Sequence, residues 1–249
     1  MRGAGLDTSA GSGSLPTISV CPAYAGQTLT LSNADLPVEV SSPAPPLPTI
    51  MQFRVGRRVT SPGPARIPST LPGSMPALGA PSLTRDITLE EVEDPTSGEP
   101  LYGSLNGRKF DDARGVQERP RAGSTEDWRL VNLTDDTHPI HLHLVQFQVI
   151  DRRPFDRDAY KAALEQARAN DPDAANLDPT PYFTGPVVAP DANERGWKDT
   201  VRANPQQVTR IRARWELPAG AATPQRYVFH CHILEHEDNS MMRPLEIVA

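Results

Sequence analysis

Short runs in which polar and apolar residues alternate recur along the chain, and this period-two alternation is typical of β-strands with one buried face. Two such runs come early, within residues 27–32 and 50–55. From residue 84 onward the runs become regular. The predicted strands there are residues 87–92, 128–133, 142–150, 208–217, 227–234 and 244–248. The pattern therefore predicts a chain made mainly of β-strands.

One segment has helical rather than strand periodicity. Residues 157–169 follow Asp156, a residue type suited to capping the start of a helix, and end before Pro172. The residues on one face of this predicted helix are Tyr160, Ala163, Leu164 and Ala167. We therefore expect a single helix inserted among the strands.

A proline-rich stretch separates an early part of the chain from a longer second part. Residues 1–60 contain only two strands, too few for an independently stable sheet, so we interpret them as the remnant of a larger domain. Residues 61–83 are predicted to be a proline-rich linker, and residues 84–249 the main domain. Its short strands, with a tight turn predicted at Asn106 and Gly107, indicate an all-β fold, a Greek-key β-sandwich or barrel.

Composition excludes several classes of partner. The net charge of −6 and the lack of clustered Lys and Arg argue against nucleic acid. No stretch approaches the roughly 20 consecutive apolar residues of a membrane span, and the N-terminus has no apolar signal core. The sequence thus predicts no membrane partner and leaves the compartment open.

All six histidines of the chain lie in two short clusters. The first cluster is His138, His141 and His143, and the second is His230, His232 and His236. Cys231 lies inside the second cluster, and Met241 and Met242 follow it. Such concentration of imidazoles beside a thiol indicates metal binding.

Strand geometry divides these ligands between two sites, because alternate side chains of a strand point to opposite faces. His230 and His232 are predicted to share one face, with Cys231 on the other. His141 and His143 are likewise predicted to share a face. Four imidazoles therefore form one site, and such a site suits copper, zinc, iron or nickel.

The second site is predicted on the Cys231 side. His138, expected just before its strand because Pro139 breaks regular pairing, would join His236 and a distant thioether from Met241. A thiolate, two imidazoles and a weak axial methionine suit copper in electron transfer. Zinc is the competing metal, but a structural zinc site normally closes with four strong ligands. The alternative is a disulfide between Cys231 and the other cysteine, Cys21, which a metal site at Cys231 disfavours.

These strings resemble a known family. Residues 138–143 and 230–237, with Met241 ten residues after Cys231, are similar to the two copper signatures of the C-terminal cupredoxin domain of multicopper oxidases. Residues 50–55 resemble the end of that group's second cupredoxin domain. The segments that resemble the bacterial spore-coat laccase and bilirubin oxidase branch are 147–155, 196–201 and 241–244. The resemblance implies a cupredoxin-like domain preceded by part of another.

The resemblance also implies roles for the individual residues. The type 1 (blue) copper ligands would be His138, Cys231, His236 and Met241. The ligand of the type 2 copper would be His141, and those of the type 3 pair would be His143, His230 and His232. Glu237 matches a carboxylate that in this family helps deliver protons to dioxygen, and an ordinary solvated acid is the alternative.

One departure from the family pattern limits the expected activity. A complete oxidase draws four more histidines from an N-terminal cupredoxin domain, and no histidine here precedes His138. The type 1 site would be complete, but the type 2 and type 3 sites only half supplied. The isolated chain is then expected not to reduce dioxygen, unless another chain supplies the missing histidines.

Two functions follow from these expectations. The first is a laccase-like oxidoreductase that removes single electrons from phenols, aromatic amines or bilirubin-like pigments and passes them to dioxygen. The alternative is a mononuclear blue-copper module that binds copper or carries electrons without oxidase activity.

Overall fold

The computed structural model describes residues 26–32, 49–54, 75–97 and 100–249. The strands in this part of the chain are β1 (Thr28–Ser32), β2 (Thr49–Arg54), β3 (Leu83–Glu93), β4 (Pro100–Leu105), β5 (Thr125–Asn132), β6 (His138–Leu142), β7 (Phe147–Pro154), β8 (Thr200–Ala203), β9 (Gln207–Arg214), β10 (Gln225–Cys231) and β11 (Met242–Ile247). The helices are α1 (Arg157–Asn170) and α2 (Leu234–Asp238), with 3-10 turns at Thr180–Tyr182 and Ala192–Glu194.

The chain divides into two units, Met1–Ser74 and Met75–Ala249. The described part of the first unit is one antiparallel pair, β1 with β2, where the alternating runs at 27–32 and 50–55 predict strands. Cys21 and most of the proline-rich stretches lie outside the described residues. The predicted domain limits at residues 60 and 83 stay predictions.

The second unit contains two sheets. One has five strands in the order β4-β3-β5-β9-β7, and the other has four in the order β11-β10-β6-β8. Every pair of neighbouring strands is antiparallel except β3 with β5, which is parallel. The predicted all-β architecture is confirmed.

A shared apolar core joins the two sheets. Trp128 of β5 is fully buried and meets Phe229 of β10 edge to face, with ring centroids 5.1 Å apart. Trp215 packs against Trp128, with ring centroids 5.2 Å apart. Burial alternates along β6 and along much of β9, as expected for strands whose apolar side chains face this core. The two sheets therefore pack face to face.

Helix α1 lies where its periodicity predicts it. The Asp156 side chain accepts a hydrogen bond from the Ala159 backbone N–H at 3.0 Å and caps the first turn. Tyr160 and Leu164 are the buried residues of the helix. No helix in the described residues is long and apolar enough to cross a membrane.

Two strand predictions were wrong because a turn or a helix interrupts the apolar run. The run at 142–150 belongs to two strands, β6 and β7, which lie in different sheets. Between them Leu144 has a φ of 77°, and such a residue cannot continue a strand. The run at 227–234 ends as a strand at Cys231, and α2 begins at Leu234.

Other boundaries also differ from the prediction. Strand β9 ends at Arg214 rather than at residue 217, and β4 and β8 were not predicted. Asn106 and Gly107 form the expected tight turn, with φ of 57° and 63°. The strand expected on its far side is limited to an isolated bridge between Leu105 and Arg108.

Candidate metal centre

Strands β6 and β10 are neighbours in the four-stranded sheet and present the candidate ligands on both of its faces. His230 lies directly opposite His141, and Cys231 lies opposite Ile140. Cys231 belongs to the buried core between the sheets and is a free thiol. Alternation along β10 therefore separates two groups of ligands, as the strand argument predicts.

The first group, which we name the thiolate site, consists of His138, Cys231 and His236. Cys231 Sγ lies 3.6 Å from His138 Nδ1 and 3.7 Å from His236 Nδ1. The two Nδ1 atoms lie 3.3 Å apart. The expectation that His138 precedes its strand was wrong. It is the first residue of β6, and Pro139 pairs with Arg202 of β8 within the sheet.

Backbone hydrogen bonds bring Met241 back to this site after the turn of α2. The Met241 N–H donates to His236 O at 2.8 Å, and the Cys231 N–H donates to Met241 O at 3.0 Å. The Met241 side chain is fully buried. A Cβ on Gly103 would lie only 2.7 Å from Met241 Cβ and 3.0 Å from its Sδ, so the methionine needs a glycine there.

Two further side chains surround the imidazoles of the thiolate site. Thr134 Oγ1 lies within hydrogen-bonding distance, 2.6 Å, of His138 Nε2, which leaves Nδ1 directed at the cysteine. Glu91 Oε1 lies 3.5 Å from both His138 Nε2 and His236 Nδ1. That oxygen is buried and has no hydrogen-bond partner among the described residues.

Burial keeps the donors of this site neutral in the metal-free chain. It raises the pKa of the Cys231 thiol to about 12 and lowers the pKa of His138 to about 3. The pKa of His236 is also lowered by burial, and that of Glu91 is raised by burial to about 7. A bound cation would favour the thiolate that this apolar environment otherwise opposes.

The second group, the histidine site, consists of His141, His143, His230 and His232 on the other face of the sheet. His143 Nε2 and His230 Nε2 lie 3.2 Å apart, and the rings of His141 and His143 are 4.9 Å apart between centroids. The centroid of the His232 ring lies 5.7 Å from that of His141 and 5.3 Å from that of His230. The His232 side chain is nevertheless 53% exposed. The donor atoms that converge most closely are those of His141, His143 and His230.

A backbone carbonyl and a hydroxyl oxygen orient the ring of His141, and a carboxylate lies close to the rings of His230 and His232. His141 Nδ1 lies 2.8 Å from the Asp199 carbonyl oxygen and 3.1 Å from Thr200 Oγ1, so its Nε2 is free to bind an ion. Glu237 Oε2 lies 3.1 Å from His230 Nδ1 and 3.9 Å from His232 Nδ1. This places the predicted proton-donating carboxylate against the histidine site.

The donor spacing of the thiolate site fits one metal ion. An ion bound at about 2.0–2.3 Å by two nitrogens and a sulfur in a trigonal arrangement needs donors about 3.3–3.8 Å apart. The three observed separations are 3.3, 3.6 and 3.7 Å. A trigonal set of two imidazoles and a thiolate is the ligand chemistry of blue copper, and Met241 is held next to it through its backbone hydrogen bonds to Cys231 and His236.

Sequence reasoning did not identify three of the residues at the thiolate site. Thr134 was missed although it lies only four residues before His138. Glu91 and Gly103 lie on β3 and β4, opposite each other across the two strands. Their contact with the site depends on how the two sheets pack, and nothing in the local pattern signals it.

Comparison with known proteins identifies the family of this chain. Residues 82–248 match the family model described as multicopper oxidase. The chain is 38% identical over 232 residues to a laccase of Bacillus subtilis and 46% identical over 164 residues to a laccase of Bacillus stratosphericus. The crystal structure of a laccase from Pediococcus acidilactici superposes with a TM-score of 0.54 at 25% identity, covering 90% of this chain and 37% of that one.

The chain corresponds to only part of these relatives. The match to the Bacillus subtilis laccase covers 90% of this chain but 39% of that protein, and the match to the Bacillus stratosphericus laccase covers 66% and 28%. The residues that match the family model, 82–248, include both candidate sites.

Proposed function

Because a model of multicopper oxidases matches two thirds of it, this chain belongs to that family, and we propose that it holds the centre where a laccase-like oxidase accepts electrons from its reductant. The observation that carries this proposal is the convergence of His138 Nδ1, Cys231 Sγ and His236 Nδ1 within 3.7 Å of one another. The reductant would be a small phenolic or aromatic molecule, and dioxygen the final acceptor.

Copper is the proposed resident metal at both sites. The type 1 ligands would be His138, Cys231, His236 and Met241. His141 would bind type 2 copper, and His143, His230 and His232 would bind type 3 copper. Because these are half of the ligands that type 2 and type 3 coppers require, we propose that further histidines come from outside these 249 residues, in another segment or another chain.

The chemistry that bound copper would supply is one-electron oxidation of the reductant and transfer of the electrons to dioxygen. The protein's own part is positioning. His236, with 13% of its side chain exposed, is the ligand that an approaching reductant can reach, whereas His138 is fully buried. Cys231 and its covalent neighbours His230 and His232 connect the two sites through a few backbone bonds.

Glu237 is the proposed catalytic acid. Its Oε2 is buried 3.1 Å from His230 Nδ1 while 26% of the side chain is exposed, so the carboxylate lies between solvent and the histidine site, where it can pass protons. Its position directly after His236 ties this carboxylate to α2, the helix that also brings His236 to the thiolate site.

A mononuclear blue-copper module is the second candidate function. It is supported by the contrast between the two sites in this chain, since the thiolate site lies in the core whereas His232 of the histidine site is 53% exposed. In that case the thiolate site would bind one copper and exchange electrons with a partner, and no dioxygen would be consumed.

Copper stoichiometry, the absorption spectrum and oxygen uptake of the copper-loaded chain test both proposals. A thiolate-to-copper band should appear in the native chain, disappear in Cys231→Ser and persist in the matched control Cys21→Ser. Because this chain alone supplies half of the type 2 and type 3 ligands, both proposals expect it to bind one copper tightly and to take up no oxygen. Oxygen uptake with about four coppers, once the segment or chain that carries the further histidines is added, would support the oxidase, and one copper without uptake even then would support the module. A native chain that binds copper without the thiolate band would refute both.

A further inference from the structure

Glu91 is a buried carboxylate whose position none of the proposed ligand roles explains. It lies on β3 of the five-stranded sheet and reaches across the core to the thiolate site on the four-stranded sheet. Its side chain is 6% exposed, and its Oε1 is 3.5 Å from an imidazole nitrogen of His138 and of His236. A buried oxygen without a hydrogen bond is costly unless a positive charge compensates it.

The proposed copper centre would provide that charge in only one oxidation state. A divalent copper bound by one thiolate, two neutral imidazoles and a thioether carries a net charge of +1, and the reduced centre is neutral. The buried carboxylate is thus compensated when the centre is oxidised and left uncompensated when it is reduced. Unit charges a few ångströms apart in a partly buried site shift such an equilibrium by roughly tenfold or more.

We propose that the charge of Glu91, held beside His138 and His236, stabilises the oxidised thiolate-site copper and so lowers its reduction potential. This inference rests on the proposed copper function. Glu91 is not itself a ligand in this geometry, because the donor atoms that converge on one point are those of His138, Cys231 and His236. Nor does it orient His138, since Thr134 takes the Nε2 atom at 2.6 Å.

Other carboxylates near the site are expected to contribute less. Glu93, Asp135 and Asp136 act electrostatically on Glu91, but all three are exposed and are screened by water. Asp135 is also paired with Arg157 at 2.5 Å. Glu91 is the member of this acidic group whose side chain is buried, so its charge should have the largest effect on the reduction potential of the copper centre.

A redox titration of the copper-loaded full chain at pH 8, followed through the thiolate band, tests this inference. Glu91→Gln removes the charge and keeps the shape. We expect the equilibrium constant for reduction to rise about tenfold or more, an upward shift of about 59 mV or more for one electron. Glu91→Ala should also raise the equilibrium constant for reduction. In Glu91→Asp, which keeps the charge, this constant should stay within about threefold of the native value.

Glu90→Gln is the matched control. Glu90 is the preceding residue on the same strand, and its carboxylate pairs with Arg168 at 2.7 Å rather than with the histidines. We expect the equilibrium constant for reduction of the copper in Glu90→Gln to stay within about twofold of the native value, even if this variant is less stable.

The outcomes separate this inference from the proposed function. No thiolate band in the native chain would overturn the copper assignment itself. A normal band in every variant, with an unchanged potential in both neutral variants, would overturn the role of Glu91 alone. Loss of the band in Glu91→Gln but not in Glu90→Gln would also overturn it, because Glu91 would then be needed to hold the copper.

Discussion

His138 shows how one imidazole is fixed by partners on both of its nitrogens. Its Nδ1 faces Cys231, and its Nε2 lies 2.6 Å from Thr134 Oγ1. A second partner of this kind sets the ring orientation of a metal-binding histidine before any ion arrives. The thiolate site is therefore arranged by hydrogen bonds that belong to the folded chain itself.

Thr134→Val should destabilise the metal-free chain. The change keeps the volume of the side chain but removes its hydroxyl. That hydroxyl lies within hydrogen-bonding distance of His138 Nε2 and donates to Asn132 Oδ1 at 2.9 Å, so two buried polar atoms lose a partner. We expect the free energy of unfolding to fall by about 1–3 kcal/mol in urea titrations. Thr137→Val, at an exposed position nearby, should change it by about 0.5 kcal/mol or less. Equal effects of the two changes would contradict this role for Thr134.

At the scale of elements, a buried ion pair holds the segment before β8 against β7. Arg152 donates to both Glu194 carboxylate oxygens, at 2.6 and 2.7 Å, and also to Arg202 O at 2.9 Å. Strand β8 pairs with β6, and the residue before it supplies the carbonyl oxygen that meets His141. The pair thus supports the histidine site from a distance.

Glu194→Gln should reveal this pair through its pH dependence. The Arg152 guanidinium lowers the pKa of Glu194 in the folded chain below its ordinary value of 4.5. A lowered pKa contributes stability above the unfolded-state value, and this contribution is lost as the pH falls. We expect the free energy of unfolding of the native protein to exceed that of the variant by about 3–5 kcal/mol at pH 7. This difference should shrink below about pH 4.5.

Urea titrations from pH 3 to 7 measure that difference. The control is Glu216→Gln, because Glu216 pairs with Arg214 on the surface, where both side chains are more than half exposed. It should cost about 1 kcal/mol or less at neutral pH. A native-to-variant difference for Glu194 that does not change with pH would show that the charge of the carboxylate is not what matters.

At the scale of the whole second unit, the two candidate sites lie on opposite faces of the four-stranded sheet. The thiolate site faces the interior between the sheets, where Cys231 joins the apolar core and Glu91 approaches from β3. The histidine site lies on the outer face, where His232 is exposed. Packing of the two sheets therefore completes only the thiolate site.

Phe229→Ala should weaken the packing of the two sheets. Phe229 is fully buried and contacts Trp128 across the sheets, so its removal leaves a cavity. We expect the free energy of unfolding to fall by about 3–5 kcal/mol in urea. Phe110→Ala, the same change at a residue that is 47% exposed, should cost about 1 kcal/mol or less. Similar losses from both would argue against this view of the core.

Local patterns in the sequence account for the elements and for the two groups of ligands. Alternation predicts most strands, helical spacing predicts α1, and the order His230, Cys231, His232 predicts two sites on opposite faces. These predictions succeed because strand and helix periods are properties of neighbouring residues. They fail at Leu144 and after Cys231, where apolar residues continue through a turn and into α2.

The sequence alone therefore identifies the candidate ligands: which histidines, which thiol, and how they divide between two faces. The contact of Glu91 with His138 and His236, and the space that Gly103 leaves for Met241, depend instead on the folded arrangement of the two sheets. These residues come from strands of the other sheet, and their distance to the ligands depends on how the sheets pack. Packing is set by the whole core at once, so no local pattern of residues encodes it.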